Sequence, residues 1–335
     1  MRYKYVIRGV PKVEFYKLSY SDIEKTDNAV YLCDEIQTNS KVLNWLYTRH
    51  FGERINKVVD LPLKGIWNRL YYKNDFDKKD SESICFVLFP SYLEYVKYGL
   101  IEDIRKDYPG CKIVCFYQDL AITKKGLAPE KAKDVFDLVL SFDHKDCETY
   151  GFTYYPLVYS CTEIEDDPSI PESDVFFLGK AKNRLPEILE AYEKFRDAGL
   201  VCDFHITGVP ESERKYADEI NYCDKMSYKE NLKRIKKTRC MLEIMQQGGH
   251  GYTLRYCEAI AHGRRLITNN TEIKNAPFYN PEFISTFTTA DEIDMEFVRN
   301  GKQDVDYKFK EELSPIKLIE FIDNYFSNND QRDLL

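Results

Sequence analysis

Three glycines surround a histidine in the segment QQGGHGYTLRYCEAIAHGRRLITNN, which runs from residue 246 to residue 270. Glycine permits unusual backbone angles and lets a ligand approach the chain closely. A helix is predicted to begin at Thr253, whose hydroxyl suits the N-cap position. The amides of Gly251, Tyr252 and Thr253 would then point off the helix N-terminus, where the dipole favours an anion. The segment predicts an anion-binding site, and a packed glycine turn is the alternative.

Charged side chains accompany this helix start and a second turn earlier in the chain. Arg255, in the first helical turn, would add a planar, permanently charged guanidinium group. Glu258, one turn further on, could accept hydrogen bonds from two hydroxyl groups, or could cap a neighbouring group instead. Lys180, Lys182 and Arg184 follow a predicted strand in the run GKAKNR. Cations at the carboxyl end of a strand are well placed to neutralise an anion, and a solvated helix start is the alternative.

Acids that could act as a general base lie in the N-terminal half, at the ends of predicted strands. Asp119 in FYQDLA directly follows an apolar strand, and Asp143 stands in SFDHKD. Asp34 and His50 are further candidates. A carboxylate or imidazole in such a position can remove the proton of a reacting hydroxyl. Each of the two main candidates, Asp119 and Asp143, could instead cap a helix or a turn.

Short β-rich runs alternate with helix-period segments along most of the chain. This spacing predicts βαβ units and largely parallel sheets. The predicted strands are 29–33, 57–59, 84–89, 112–117, 138–142, 153–157, 175–178, 202–207, 240–245, 265–268 and 283–286. The predicted helices are 92–107, 129–136, 184–198, 228–237, 253–261 and 314–326.

The acidic, proline-containing stretch at 161–174 is predicted to be a linker between two domains. We therefore expect an α/β protein with two Rossmann-like doubly wound domains, 1–160 and 175–313, facing each other across a cleft. Ligands of doubly wound sheets bind outside the carboxyl ends of the strands. The predicted anion-binding residues all belong to the second domain.

Composition narrows the class of protein. The chain has 335 residues, enough for two domains, and its net charge of −8 argues against a dedicated nucleic-acid binder. No apolar run approaches the length of a membrane span, and the N-terminus lacks a signal peptide pattern. Ten cysteines without a CxxC pair indicate reduced thiols. We expect a cytoplasmic protein.

The run GYTLRYCEAIAHGRRLIT, at 251–268, resembles the nucleotide-sugar site of GT-B glycosyltransferases. The likeness is greatest to bacterial glycosyltransferases of lipopolysaccharide and capsule biosynthesis, including those similar to spore-maturation glycosyltransferases. Three other pieces agree: FDLVLSFDHKDCETYGFTYYPL at 136–157, VFFLGKAKNR at 175–184 and YKENLKRIKKTRCMLEIMQQ at 228–247. The first 80 residues match nothing specific.

This resemblance implies transfer of a sugar from a nucleotide-diphosphate sugar, a UDP-sugar, to a glycan or lipid-linked acceptor in surface polysaccharide synthesis. It implies basic side chains and helix dipoles in place of a required metal or other cofactor. The C-terminal helix, 314–335, would pack back toward the N-terminal domain. The residues implied to bind the donor are Lys180, Lys182, Arg184, Gly208, Met226, Tyr228, Gly249, Gly251, Tyr252, Thr253, Arg255 and Glu258.

Within that set the resemblance implies distinct roles. Glu258 would hold the ribose or sugar hydroxyls, and the segment 251–253 would lie at the diphosphate. Gly208, Met226 and Tyr228 would surround the nucleotide base, although Tyr228 could equally be a packing residue.

One position departs from the family pattern. Many retaining members carry a Glu-x7-Glu pair, whose second acid matches Glu258, but His250 stands where the first acid would be. His250 therefore joins Asp119 and Asp143 as a candidate catalytic residue, and the stereochemical outcome stays open. A catalytically silent homologue that binds an active transferase, or a nucleotide-sugar epimerase, is the alternative function.

The stretch at 48–73 is locally basic, with six Lys or Arg against two acids, and is interleaved with aromatic and apolar residues. Such a surface can rest on an anionic membrane, where lipid-linked acceptors reside. Packing on its own domain is the alternative.

Overall fold

The computed structural model describes residues 2–52, 56–58, 61–76, 78–246, 251–301 and 304–332. The chain divides into two compact units: unit 1 comprises Met1–Pro156 with Pro315–Leu335, and unit 2 comprises Leu157–Ser314. The division therefore precedes the stretch 161–174, which belongs to unit 2, and the C-terminal segment belongs to unit 1.

Unit 1 is built on a parallel sheet. Its strands are β1 (Lys4–Arg8), β2 (Ala29–Leu32), β3 (Ile84–Leu88), β4 (Lys112–Tyr117), β5 (Leu138–Ser141) and β6 (Thr153–Tyr154). Its helices before the division are α1 (Glu14–Ser19), α2 (Lys41–His50), α3 (Asn68–Tyr71), α4 (Leu93–Val96), α5 (Leu100–Asp107), α6 (Ala132–Val135) and α7 (His144–Tyr150). The strand order is β2-β1-β3-β4-β5-β6, and each adjacent pair is parallel.

Unit 2 repeats this architecture. Its strands are β7 (Ser173–Lys180), β8 (Cys202–Thr207), β9 (Thr238–Glu243), β10 (Arg265–Thr268) and β11 (Ile284–Thr286). Its helices are α8 (Leu185–Asp197), α9 (Tyr228–Lys237), α10 (Leu254–His262) and α11 (Met295–Asn300). The order β11-β10-β9-β7-β8 is again parallel throughout. The last helix, α12 (Pro315–Arg332), belongs to unit 1.

The central strands are apolar on both faces, as a sheet covered by helices on each side requires. Strand β3 reads ICFVL, and all five of its residues are buried. Strand β4 reads KIVCFY and is buried from its second residue onward. The predicted α/β class with two parallel, doubly wound sheets is confirmed.

Three predictions about elements are wrong. Strand β1, which lies inside the sheet of unit 1, is absent from the predicted strands. Lys57 and Val58, predicted to begin a strand, form a turn, and Val59 lies outside the described residues. The helix predicted at 92–107 is divided into α4 and α5, because Gly99 between them has φ +81° and a helix cannot continue through that conformation. Within the described residues no helix is long and apolar enough to cross a membrane.

Candidate functional site

Arg184 links the carboxyl ends of two strands of unit 2. It is the N-cap residue of α8, just after β7, and its Nη1 donates to the carbonyl of Ile244, one residue beyond β9. Its Nε donates to the carbonyl of Lys180 at 3.2 Å. Gly179 leaves the necessary room, since a Cβ there would lie 3.1 Å from Nη2 of Arg184. Carbonyl oxygens thus hold the guanidinium at the carboxyl ends of these two strands.

Arg255 reaches the same strand end from the first turn of α10. Its Nη2 donates to the carbonyl of Leu178, in β7, at 2.5 Å. Its Nη1 forms an ion pair with Glu258. The side chain of Arg255 is 19% exposed.

The two guanidinium groups are electrostatically coupled. Burial lowers the pKa of Arg184, and the positive charge of Arg255 lowers that pKa further. Among the described residues, no carboxylate forms an ion pair with Arg184. Two guanidinium groups at one strand end offer donors to an anion. Glu258 pairs with Arg255, and the negative charge of Glu243 partly offsets the lowering of the pKa of Arg184.

The start of α10 is fixed by a buried acid. Thr253 is the N-cap and accepts from the amide of Arg255. Its hydroxyl also donates to Glu243, the last residue of β9, and Thr268 donates to the other oxygen of Glu243 at 2.5 Å. Glu243 is 4% exposed, and burial raises its pKa. The helix begins one residue later than predicted, with Thr253 as its cap.

Two neighbouring asparagines anchor the chain on either side of residues 247–250. Asn269 accepts from the amide of Met245 at 2.7 Å. Asn270 donates to the carbonyl of Gly251 at 3.0 Å and is 7% exposed. Asn269 and Asn270, which end the segment 246–270, therefore have a structural role at this site. Gly249 and His250, two predicted site residues, lie outside the described residues.

Glu258 lies in a buried polar network. Its side chain is 0% exposed. Oε1 accepts from Tyr228 Oη and from Asn231 Nδ2, both at 2.9 Å, and Oε2 accepts from Arg255. Tyr228 also lies 2.9 Å from Tyr159 Oη. The predicted contact of Glu258 with ligand hydroxyls stays a prediction, and its carboxylate is enclosed by protein donors.

Three other predicted donor residues lie near the carboxyl ends of β7 and β8, with differing exposure. Lys180 and Lys182 are exposed, and the Nζ of Lys182 donates to Gln246. Gly208 follows β8 with φ +73°, and a Cβ there would lie 3.2 Å from the Lys180 side chain. Met226 is half-buried in the loop before α9.

Tyr252 and Tyr228 differ from simple ligand contacts. The ring of Tyr252 is 9% exposed and packs edge-on against Tyr256 and Phe278. The hydroxyl of Tyr228 donates to Glu258. Burial, and to a smaller extent the charge of Glu258, raises the pKa of Tyr228. The structure therefore gives both side chains roles within the protein.

The candidate bases of unit 1 occupy different environments. Asp119 follows β4, is 60% exposed, and pairs with Lys124 at 2.8 Å. It lines a cavity of about 520 Å³ together with Tyr16, Phe89 and Gln118. Asp143 is 1% exposed and caps α7 by accepting from the amide of Asp146 at 2.9 Å. The cap considered as the alternative for Asp143 is therefore present, and of these two carboxylates Asp119 is the accessible one.

Sequence reasoning missed two residues of the site. Glu243 ends the strand TRCMLE, where an acid among apolar neighbours signals a buried partner, and Asn231 holds Glu258 from α9. Within the described ranges, no group of three or more His, Cys, Asp or Glu side chains could hold a metal ion. The independence from metal implied by the resemblance stays a prediction.

Comparison with known proteins agrees with this architecture. No protein-family model and no curated protein matches the chain. Among solved structures, the chain is similar to the lipopolysaccharide outer core galactosyltransferase WaaB in its apo form, with TM-score 0.53 and 12% identity over 98% of this chain and 100% of that one.

Two further solved structures are similar to the chain. A putative UDP-N-acetylglucosamine 2-epimerase from Listeria monocytogenes gives TM-score 0.50 and 8% identity, covering 97% of each chain. TarM gives TM-score 0.49 and 12% identity over 74% of this chain, which spans 55% of the length of TarM. The similarities to WaaB and to the epimerase concern the fold, and the predicted resemblance in fold is confirmed: the chain has the GT-B fold found in glycosyltransferases.

Proposed function

We propose that the chain is a glycosyltransferase that takes a sugar from a nucleotide-diphosphate sugar, specifically a UDP-sugar. The observation that carries this proposal is the pair Arg184 and Arg255, placed together at the end of β7 and beside the start of α10. A diphosphate needs positive charge from more than one direction, and this pair offers it next to a helix N-terminus.

The chemistry that this arrangement supports is stabilisation of a leaving group. As the bond from the sugar to the diphosphate breaks, negative charge grows on the phosphate oxygens. Fixed guanidinium groups and a helix dipole stabilise that charge without rearrangement at the moment of reaction. Lys180, Lys182 and Gly208 lie near the carboxyl ends of β7 and β8 and fit binding of the nucleotide.

The acceptor belongs to the finer part of the proposal. We assign it to the cavity of unit 1 that Asp119 lines, with Asp119 as the base that removes the acceptor proton. The half-buried ring of Tyr16 in that cavity suits the apolar face of a sugar ring. We propose a glycan or lipid-linked acceptor of a surface polysaccharide.

Contact with a membrane would bring the enzyme to a lipid-linked acceptor. Exposed apolar side chains lie within and next to the basic stretch 48–73. In α2, Val42 is 66% exposed and Trp45 is 57% exposed, and within the stretch Ile66 is 66% exposed. These residues suit insertion at the interface of an anionic membrane. We therefore propose a cytoplasmic enzyme that binds the membrane peripherally.

Turnover of a donor panel tests the proposal. The purified chain is incubated with UDP-, GDP-, dTDP- and CMP-sugars, with and without EDTA, and nucleotide release is measured. The proposal predicts slow UDP release that survives EDTA and falls by at least about tenfold in Arg184→Ala. Conversion of the sugar to its epimer without UDP release would identify an epimerase instead. Binding without turnover, even with glycan acceptors, would identify a silent homologue.

A further inference from the structure

Glu258 has little capacity left for a ligand. A carboxylate offers about four lone-pair positions. Tyr228 and Asn231 occupy both positions of Oε1, and Arg255 occupies one of Oε2. With the side chain 0% exposed, a ligand hydroxyl could reach Glu258 only by displacing a protein donor from a buried site, and such a displacement is costly.

Arg255 has the opposite character. Its Nη1 is held by Glu258 and its Nη2 by the carbonyl of Leu178. A guanidinium carries five N–H bonds, so three of them have no partner among the described residues. Fixing both Nη atoms prevents rotation of the planar group about the Cδ–Nε bond. The guanidinium is therefore oriented in advance, with donors to spare.

The donors of Glu258 are themselves fixed. Asn231, on α9, is 1% exposed. Tyr228, also on α9, lies 2.9 Å from Tyr159 Oη, which in turn lies 3.2 Å from His262 Nε2. Glu258 is thus held by side chains of α9, and it in turn holds the guanidinium of Arg255, on α10, in a fixed position.

We infer that Glu258 is a positioning residue, which orients Arg255 for the phosphate groups of the ligand and makes no contact with the ligand itself. This inference rests on the proposed donor site. In this arrangement the guanidinium of Arg255 recognises the diphosphate, and other residues recognise the ribose and the sugar. Loss of Glu258 should therefore weaken phosphate binding selectively.

Calorimetric titrations with uridine, UDP and inorganic pyrophosphate separate the two roles of Glu258. For Glu258→Gln we expect at least about a tenfold loss of affinity for UDP and pyrophosphate, the scale of one charged hydrogen bond, with unchanged affinity for uridine. The double variant with Arg255→Ala should bind UDP no more weakly than Arg255→Ala alone, because the two residues act as one unit. Equal losses for uridine and UDP would show that Glu258 contacts the ribose and would overturn the inference.

A second measurement does not depend on nucleotide binding. Nitrogen-15 relaxation of the Arg255 Nε–H group reports how rigid the guanidinium is. It should become more mobile in Glu258→Gln and, to a smaller extent, in Tyr228→Phe, which keeps the charge and serves as the readout if Glu258→Gln fails to fold. Unchanged mobility in both variants would overturn the inference. Wild-type protein that binds neither uridine nor UDP would refute the proposed function, while the relaxation data would still decide the role of Glu258.

Glu219→Gln is the matched control. Glu219 accepts from Tyr192 Oη at 2.8 Å in the same unit, so the substitution also weakens a tyrosine–glutamate hydrogen bond. It should change neither the mobility of Arg255 nor the affinity for pyrophosphate.

Discussion

The hydroxyl of Thr253 donates a hydrogen bond to the buried carboxylate of Glu243. This contact joins the start of α10 to the end of β9, and the same hydroxyl oxygen accepts from the amide of Arg255. One side chain therefore fixes both the helix cap and the strand end. The arginine pair can serve as an anion site only while this corner of unit 2 holds its geometry.

Replacing Thr253 with valine should destabilise unit 2. The variant keeps the volume of the side chain but loses the cap and leaves a buried acceptor on Glu243 without a donor. We expect the free energy of unfolding to fall by about 1–3 kcal/mol, measured by urea denaturation. Thr253→Ser keeps the hydroxyl and is the control. Equal stability of the valine variant and the wild type would show that the contact contributes nothing.

Replacing either arginine of the pair with alanine should impair use of the donor. Each removes charge-assisted hydrogen bonds to the diphosphate, so kcat/KM for the UDP-sugar should fall between about tenfold and 100-fold. Arg239→Ala is the control, since Arg239 is an exposed arginine of β9 that pairs with Asp174. Losses as large in the control would point to a general effect of charge.

Asp119→Asn should separate transfer from donor binding. If Asp119 removes the acceptor proton, transfer should fall by about 100-fold or more, while affinity for UDP stays unchanged. Lys124→Met removes the ion pair but keeps the carboxylate, so it should retain transfer. A transfer rate in Asp119→Asn equal to that of the wild type would exclude Asp119 as the base.

His262 should make stability depend on pH. Burial, assisted by the charges of Arg264 and Lys310, lowers its pKa to about 4. The unfolded chain, with a histidine pKa near 6.5, then binds more protons than the folded one between those values. The contribution is therefore present above about pH 6.5 and is lost as the pH falls toward 4. The stability difference between wild type and His262→Gln, measured by denaturation at several pH values, should shrink over that window, whereas a constant difference would contradict this assignment.

The exposed apolar face near α2 should bind anionic vesicles. The protein should sediment with phosphatidylglycerol vesicles and not with phosphatidylcholine vesicles, and Trp45→Glu should abolish the binding. Val201→Glu changes an apolar side chain of unit 2 that is 56% exposed and should leave binding intact. Equal sedimentation of Trp45→Glu and the wild type would place any membrane contact elsewhere.

Elements whose signals are local could be predicted closely from sequence. Strands β4, β8 and β10 and helix α9 have the predicted bounds, because apolar runs and an N-cap such as Ser227 mark their ends. Strand β1 was missed because Lys4 and Arg8 resemble surface residues. Arg8 is 1% exposed and is held there by backbone carbonyls of residues 32, 34 and 35. Those contacts depend on tertiary structure.

The residues of the candidate site likewise divide into those with a local sequence signal and those whose role depends on tertiary contacts. Arg184, Arg255 and Thr253 could be selected because they lie beside a strand end or a helix start. Glu243 and Asn231 were missed, since their partners come from distant parts of the chain. The enclosure of Glu258 was equally hidden: spacing placed it one turn below the helix start, but only packing shows that its oxygens face protein donors.

A crystal structure with UDP would test the central claim most directly. The account predicts that the diphosphate lies at the carboxyl end of β7, with its oxygens within hydrogen-bonding distance of both Arg184 and Arg255. A nucleotide whose phosphates contact neither guanidinium would contradict the claim.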